Sequence, residues 1–178
     1  MFKKLIPIAL MYACGTEPTR KVAPVSFSEY LNMNVPSVVR PHFAEFIEHC
    51  KNSSVENQQK CQENIKLLSS VELKNGPIEA NQPGVVGLCE LSLNRKIILR
   101  ADVFNFNSLT FKALVWHELG HCLLDLDHTS ENDYSHIMNA YLPNERELGK
   151  KWSFYTDDLF NSDARMHLAE SIIYDWKQ

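Results

Sequence analysis

From about residue 36 onward, apolar positions recur with readable periods. Val39, Phe43, Phe46, Ile47 and Cys50 fall at helical spacing, which predicts a first helix starting near Pro36; proline suits an opening helical turn. Residues 51–64 (KNSSVENQQKCQEN) are strongly polar and read as loop or exposed helix. An apolar stretch over residues 65–73, ending in Val71 and Leu73, suggests a strand, and Gly76-Pro77 and Pro83-Gly84 mark turns beyond it. Residues 85–93 (VVGLCELSL) and 96–103 (KIILRADV) predict two further strands, with a tight hairpin at Asn94-Arg95. From Ser108 the period becomes helical again, with Phe111, Leu114, Val115, Leu119, Cys122 and Leu123 on one side. Residues 129–136 read as polar loop. Residues 155–160 and 162–176 predict a closing helical region, with Ser162 as N-cap and a packing stripe of Leu168, Ile172 and Trp176.

The first residues are of another kind. Lys3 and Lys4 precede an apolar run over residues 5–13 (LIPIALMYA) that is too short to span a bilayer. Such a start reads as an export signal. Met11-Tyr12-Ala13-Cys14 resembles a bacterial lipoprotein cleavage box. That resemblance implies that Cys14 becomes the lipidated first residue of an envelope protein, anchored to the membrane by its N-terminal lipid alone. Residues 1–13 are then the signal peptide, residues 14–25 a polar, proline-containing tether, and residues 26–178 one domain.

The whole chain has 178 residues, is 44% hydrophobic and 22% charged, and carries a formal net charge of −4. This is ordinary globular composition, without the Lys/Arg-rich run that nucleic-acid binding would favour. A monomer is expected. Apart from Cys14 there are Cys50, Cys61, Cys89 and Cys122. In an oxidising compartment these allow two disulfides in three connectivities. The pairing Cys50–Cys61 with Cys89–Cys122 is favoured because the first bond closes a short local loop, and four buried thiols are the alternative.

The chemistry sits in the second helix of the pattern, at His117-Glu118-Leu119-Gly120-His121. Residues four apart share a helix face, so the two imidazoles can take two corners of a tetrahedral zinc site. Glu118 cannot easily bind the same ion, but its carboxylate can reach a water on it. This is the division of labour in HExxH metallopeptidases. Gly120 lies inside the helix, where glycine costs about 1 kcal/mol against alanine, so something must approach the backbone closely there.

The segment His117 to His128 resembles the metzincin signature HExxHxxGxxH. In that signature a glycine ends the helix in a left-handed turn and a third histidine follows three residues later. Here Asp125 stands three residues before His128, and Asp tolerates that conformation. The resemblance implies a helix ended at Asp125 and His128 as third ligand; Asp127, at the metzincin spacing, and His136 are the alternatives. Ser135-His136-Ile137-Met138-Asn139-Ala140-Tyr141 resembles the metzincin Met-turn, which implies Met138 beneath the histidines. Tyr141 or Tyr155 is then a candidate to stabilise the oxyanion.

Gly87-Leu88-Cys89, residues 96–99, Ile137-Met138-Asn139 and Asp158-Leu159-Phe160 extend the likeness to small bacterial metallopeptidases of metzincin-like type. It implies an α/β (α+β) zincin domain, a small twisted sheet packed on the active-site helix, with a helical C-terminal part. It also implies one catalytic Zn2+, a polypeptide substrate, and residues 97–100 as the sheet edge beside the cleft. The competing readings are a catalytically silent zinc-binding lipoprotein and a hydrolase of cell-wall peptide amides.

Overall fold

The computed structural model describes residues 33–129 and 136–161. Helix α1 spans Arg40–Asn52, and Phe43, Phe46, Ile47 and Cys50 form its buried face. It begins four residues after the predicted Pro36. That proline sits in a preceding turn, where its carbonyl accepts from Val39 and Arg40 N–H, and Pro41 occupies the first helical turn instead. The polar stretch that follows forms an exposed helix, α2 (Val55–Ile65), capped by the Ser54 hydroxyl and buried only at Cys61, Asn64 and Ile65. Cys50 and Cys61 are paired at disulfide distance, with Cα atoms 6.4 Å apart, and so staple α1 to α2.

Three strands follow, β1 (Leu68–Lys74), β2 (Gly87–Glu90) and β3 (Arg95–Arg100). Their order in the sheet is β1-β3-β2, with β1 parallel and β2 antiparallel to β3. β3 is therefore central, which corrects the expectation that residues 97–100 form the edge beside the cleft. The physical reason is pairing on both sides. Ile97 and Leu99 are fully buried, and β3 pairs with β1 on one side and β2 on the other. The free edge next to the long helix belongs to β2. The β2–β3 link is longer than the tight hairpin expected: Arg95 already belongs to β3, and Ser92 bonds Asn94 within the connecting residues.

Helix α3 (Leu109–Leu124) is the centre of the molecule. Ser108 caps it by accepting from Phe111 N–H at 3.0 Å, and the Glu145 carboxylate accepts from Leu109 and Thr110 N–H. The sequence pattern placed its apolar residues on one side, yet every residue from Ala113 to Leu124 is buried. An all-round buried helix needs cover on every side; α1, α2, α4 and the sheet provide it. Cys122 is paired with Cys89 of β2 at a Cα separation of 5.7 Å.

Helix α4 (Glu145–Asn161) starts well before the predicted Tyr155 and is kinked at Lys151. Leu148, Tyr155, Leu159 and Phe160 close the core against α3, and Trp116 packs edge-on between Phe46 and Phe160. The helix expected over 162–176, with Ser162, Leu168, Ile172 and Trp176, lies outside the described residues, as do residues 1–32 with Cys14. Among the described residues, four helices and one small mixed sheet make an α+β domain. Among the described residues no helix is long and apolar enough to cross a membrane.

Candidate metal centre

One turn of α3 separates His117 from His121, and burial on all sides limits the directions their rings can take. The His117 ring presents Nδ1 to the Ile137 carbonyl at 2.7 Å, and the His121 ring presents Nδ1 to the Leu126 carbonyl at 2.6 Å. A carbonyl oxygen only accepts, so in each ring the proton resides on Nδ1 and donates there. Both Nε2 atoms are then unprotonated, and they face each other at 3.1 Å.

The helix ends where the third histidine needs it to end. Asp125 adopts the left-handed conformation (φ 53°, ψ 40°), and Leu126 N–H returns to the Gly120 carbonyl at 3.1 Å. The turn brings the Leu126 carbonyl to His121 and swings His128 back until its Nε2 lies 2.8 Å from that of His117. One ligand atom from each of His117, His121 and His128 lies within 4.8 Å of the others. Asp127 is not brought into this group. Its carboxylate accepts from His128 N–H at 2.7 Å. Neither is His136, whose Nδ1 pairs with the Asp158 carboxylate of α4.

Asp125 can hold its strained backbone because its side chain is held as well. The carboxylate accepts from Arg95 at 2.7 Å and from the Asn64 amide at 3.0 Å. The same two donors satisfy the last carbonyls of α3, Arg95 reaching Cys122 O at 2.6 Å and Asn64 reaching Leu123 O at 3.1 Å. A glycine here would relieve the backbone and lose the clamp.

Beneath the histidines runs the loop from His136 to Tyr141. Met138 is 2% exposed, and a Cβ added to Gly120 would meet its Sδ at 2.5 Å. The close approach that a helical glycine implied is therefore made by Met138. The loop is tied back by Met138 O, which accepts from Thr129 N–H at 3.0 Å. Tyr141 is half-buried on the same loop, its N–H donating to Asn139 Oδ1 at 2.8 Å, while Tyr155 is buried on α4.

The electrostatics favour neutral imidazoles, the form that can ligate a metal ion. Burial pushes His117 down to about 3, its neighbour His121 adding to the effect, and burial likewise pushes His121 down to about 4. His128 is lowered in the same direction by burial and by the two rings beside it. The rings are therefore neutral at physiological pH, and the lone pairs of His117 and His121 meet with no proton between them. A metal ion among the three nitrogens would relieve that repulsion. Nitrogens on a tetrahedral zinc at about 2.05 Å stand about 3.3 Å apart, so the observed 3.1 and 2.8 Å require openings of a few tenths of an ångström. The cluster could thus hold a metal ion, with each of the two helical ligands oriented by a main-chain carbonyl. Glu118, next along α3, is 3% exposed, and burial raises its carboxyl to about 8.

Sequence reasoning missed the Ile137 and Leu126 carbonyls, the Arg95–Asn64 clamp and the His136–Asp158 pair. The first are main-chain groups, which no residue type announces. The others depend on residues brought together across 22 to 61 positions, which no local pattern records. No family model, curated protein or solved structure matches this chain.

Proposed function

We propose that this protein is a zinc-dependent peptidase of metzincin-like type, with His117, His121 and His128 as metal ligands and Glu118 as general base. The observation that carries the reading is the convergence of the Nε2 atoms of His117, His121 and His128, in a group where the first two rings have their Nδ1 protons committed to carbonyls. Three neutral imidazoles suit zinc, and three protein ligands leave a position open, as catalytic rather than structural zinc sites do. When bound, the ion supplies Lewis acidity toward water and the scissile carbonyl.

The residues of the chain do the rest. Burial raises the Glu118 carboxyl to about 8, and a cation beside it favours the carboxylate; that carboxylate accepts a proton from the attacking water and delivers it to the departing amine. A carboxyl whose proton affinity burial has raised is suited to carrying a proton between two such partners. Tyr141 or Tyr155 donates a hydrogen bond to the oxyanion. The free edge of β2 receives the substrate as an added strand. The spacing differs from the metzincin signature by one residue, and the clamped Asp125 accommodates the longer helix. The paired cysteines are compatible with an exported protein, and the leader with Cys14 supports a lipid-anchored envelope location.

The test is hydrolysis of a quenched peptide library by the purified protein, with and without chelator, beside Glu118→Ala. Activity abolished by chelator and by the substitution is expected. Activity surviving both overturns the mechanism. Zinc bound without hydrolysis of any peptide points to the silent binding protein, and hydrolysis of cell-wall peptide alone points to the amidase.

A further inference from the structure

Strand β2 and helix α3 are registered against each other at two points. Gly87 and Cys89 are two apart on a strand and so share a face; Glu118 and Cys122 are four apart on a helix and share one too. Cys89 is bonded to Cys122. Gly87, buried at the head of β2, lies against Glu118: an added Cβ would stand 2.8 Å from the carboxylate carbon and closer still to Oε1. The two contacts are about 6.8 Å apart along the strand and about 6 Å apart along the helix, so one register satisfies both. Among the described residues β2 is an edge strand, held by β3 on one side only. Its distance from α3 is therefore set largely by the bond at one point and the missing side chain at the other.

We infer that Gly87 is a positioning residue for Glu118: the absent side chain makes the slot in which the carboxylate rests, and the Cys89–Cys122 bond holds the slot at its width. The inference rests on the peptidase reading for its catalytic meaning, but not for its geometry. Any side chain at position 87 displaces the carboxylate. The third of its three nearest neighbours is a methyl of Leu114, the far end of a flexible side chain that can turn aside. Metal binding should survive, because the three atoms nearest the added Cβ belong to Glu118 and Leu114 and not to a histidine.

The experiment is a cycle of Gly87→Ala, Glu118→Ala and the double variant, measured by zinc content, thermal midpoint and peptide hydrolysis. Gly87→Ala should keep one zinc per chain and lose about 100-fold in kcat, the effect of displacing a catalytic group by about 1 Å, with KM changed less than about threefold. Its midpoint should fall in the Glu118 background and fall by less than half as much when Glu118→Ala has emptied the slot. If Gly87→Ala alone fails to fold, recovery of the fold in the double variant supports the contact, and no recovery overturns it. Equal loss of midpoint in both backgrounds, or an unimpaired kcat, overturns the inference. If the wild-type protein hydrolyses nothing yet the midpoints show the coupling, the peptidase reading fails and the packing of Gly87 on Glu118 stands.

Discussion

Asp125 forms the turn that delivers His128, the proposed third metal ligand, and its two roles can be separated by substitution. Ala at this position keeps a Cβ in the left-handed conformation and removes the carboxylate. That conformation costs a non-glycine residue about 1–2 kcal/mol, less for Asp than for Ala. The carboxylate accepts two hydrogen bonds, one of them charge-assisted from Arg95 at 2.7 Å. A charge-assisted bond contributes about 1.5–3 kcal/mol when shielded, but the Asp125 side chain is 37% exposed, so about 1 kcal/mol is the fair figure. Asp125→Ala should therefore destabilise the fold by about 2 kcal/mol, whereas Asp125→Gly loses the clamp, regains the backbone term and comes out within about 1 kcal/mol of wild type. Urea unfolding of the chelated proteins measures both. Competition against a zinc-binding dye then shows whether the turn still delivers His128, with Asp125→Ala expected to weaken zinc by about tenfold or more, as loss of support behind a ligand does. Glycine and alanine variants of equal stability would refute the claim that backbone conformation governs this turn. A glycine variant more stable than wild type by the full backbone term would refute any contribution of the clamp.

Other outcomes follow from the same geometry. Gly120→Ala should destabilise the protein by about 1–2 kcal/mol despite the better helix propensity, because its Cβ would stand 2.5 Å from Met138 Sδ; a gain in the urea midpoint contradicts this. Removing Cys89 and Cys122 should cost about 4 kcal/mol and removing Cys50 and Cys61 about 3 kcal/mol, since the loops closed span 33 and 11 positions and the chain-entropy cost grows with loop length; the reverse order in urea midpoints counts against it. The metal-free protein should be most stable near pH 6.5. Below that value the unfolded chain takes up protons at His117, His121 and His128 that the folded site refuses, while folded Glu118, raised to about 8, binds one that the unfolded chain does not. The net of two protons drains up to about 2.7 kcal/mol per pH unit on the acid side. Between pH 6.5 and about 8 only the Glu118 effect remains, and stability falls as pH rises by up to about 1.4 kcal/mol per unit. A urea midpoint rising steadily from pH 5 to 8 would contradict it.

Helix α3 was legible because everything that defines it is local: the Ser108 cap, an apolar run, and an Asp suited to a left-handed exit. The same locality made His117, Glu118 and His121 readable as a group, and Gly120 readable as a point of close approach. Strand order was not legible. The apolar run of β3 says that it is buried, but only its pairing with β1 and β2 says that it is central. The start of α4 was hidden because its first half, ERELGKK, buries little beyond Leu148 and is broken from the second half at Lys151. Leu126 and Ile137 look like ordinary core residues, yet their carbonyls fix the tautomers on which the proposed metal binding depends.

The most direct test is the metal content of the folded protein, purified without chelators, supplied with zinc, and weighed by native mass spectrometry beside His128→Ala and Asp127→Ala. One zinc per chain in the wild type and in Asp127→Ala, and its loss from His128→Ala, is the result the account predicts. A folded wild-type protein that takes up no metal, or one whose metal is lost with Asp127 rather than His128, contradicts it.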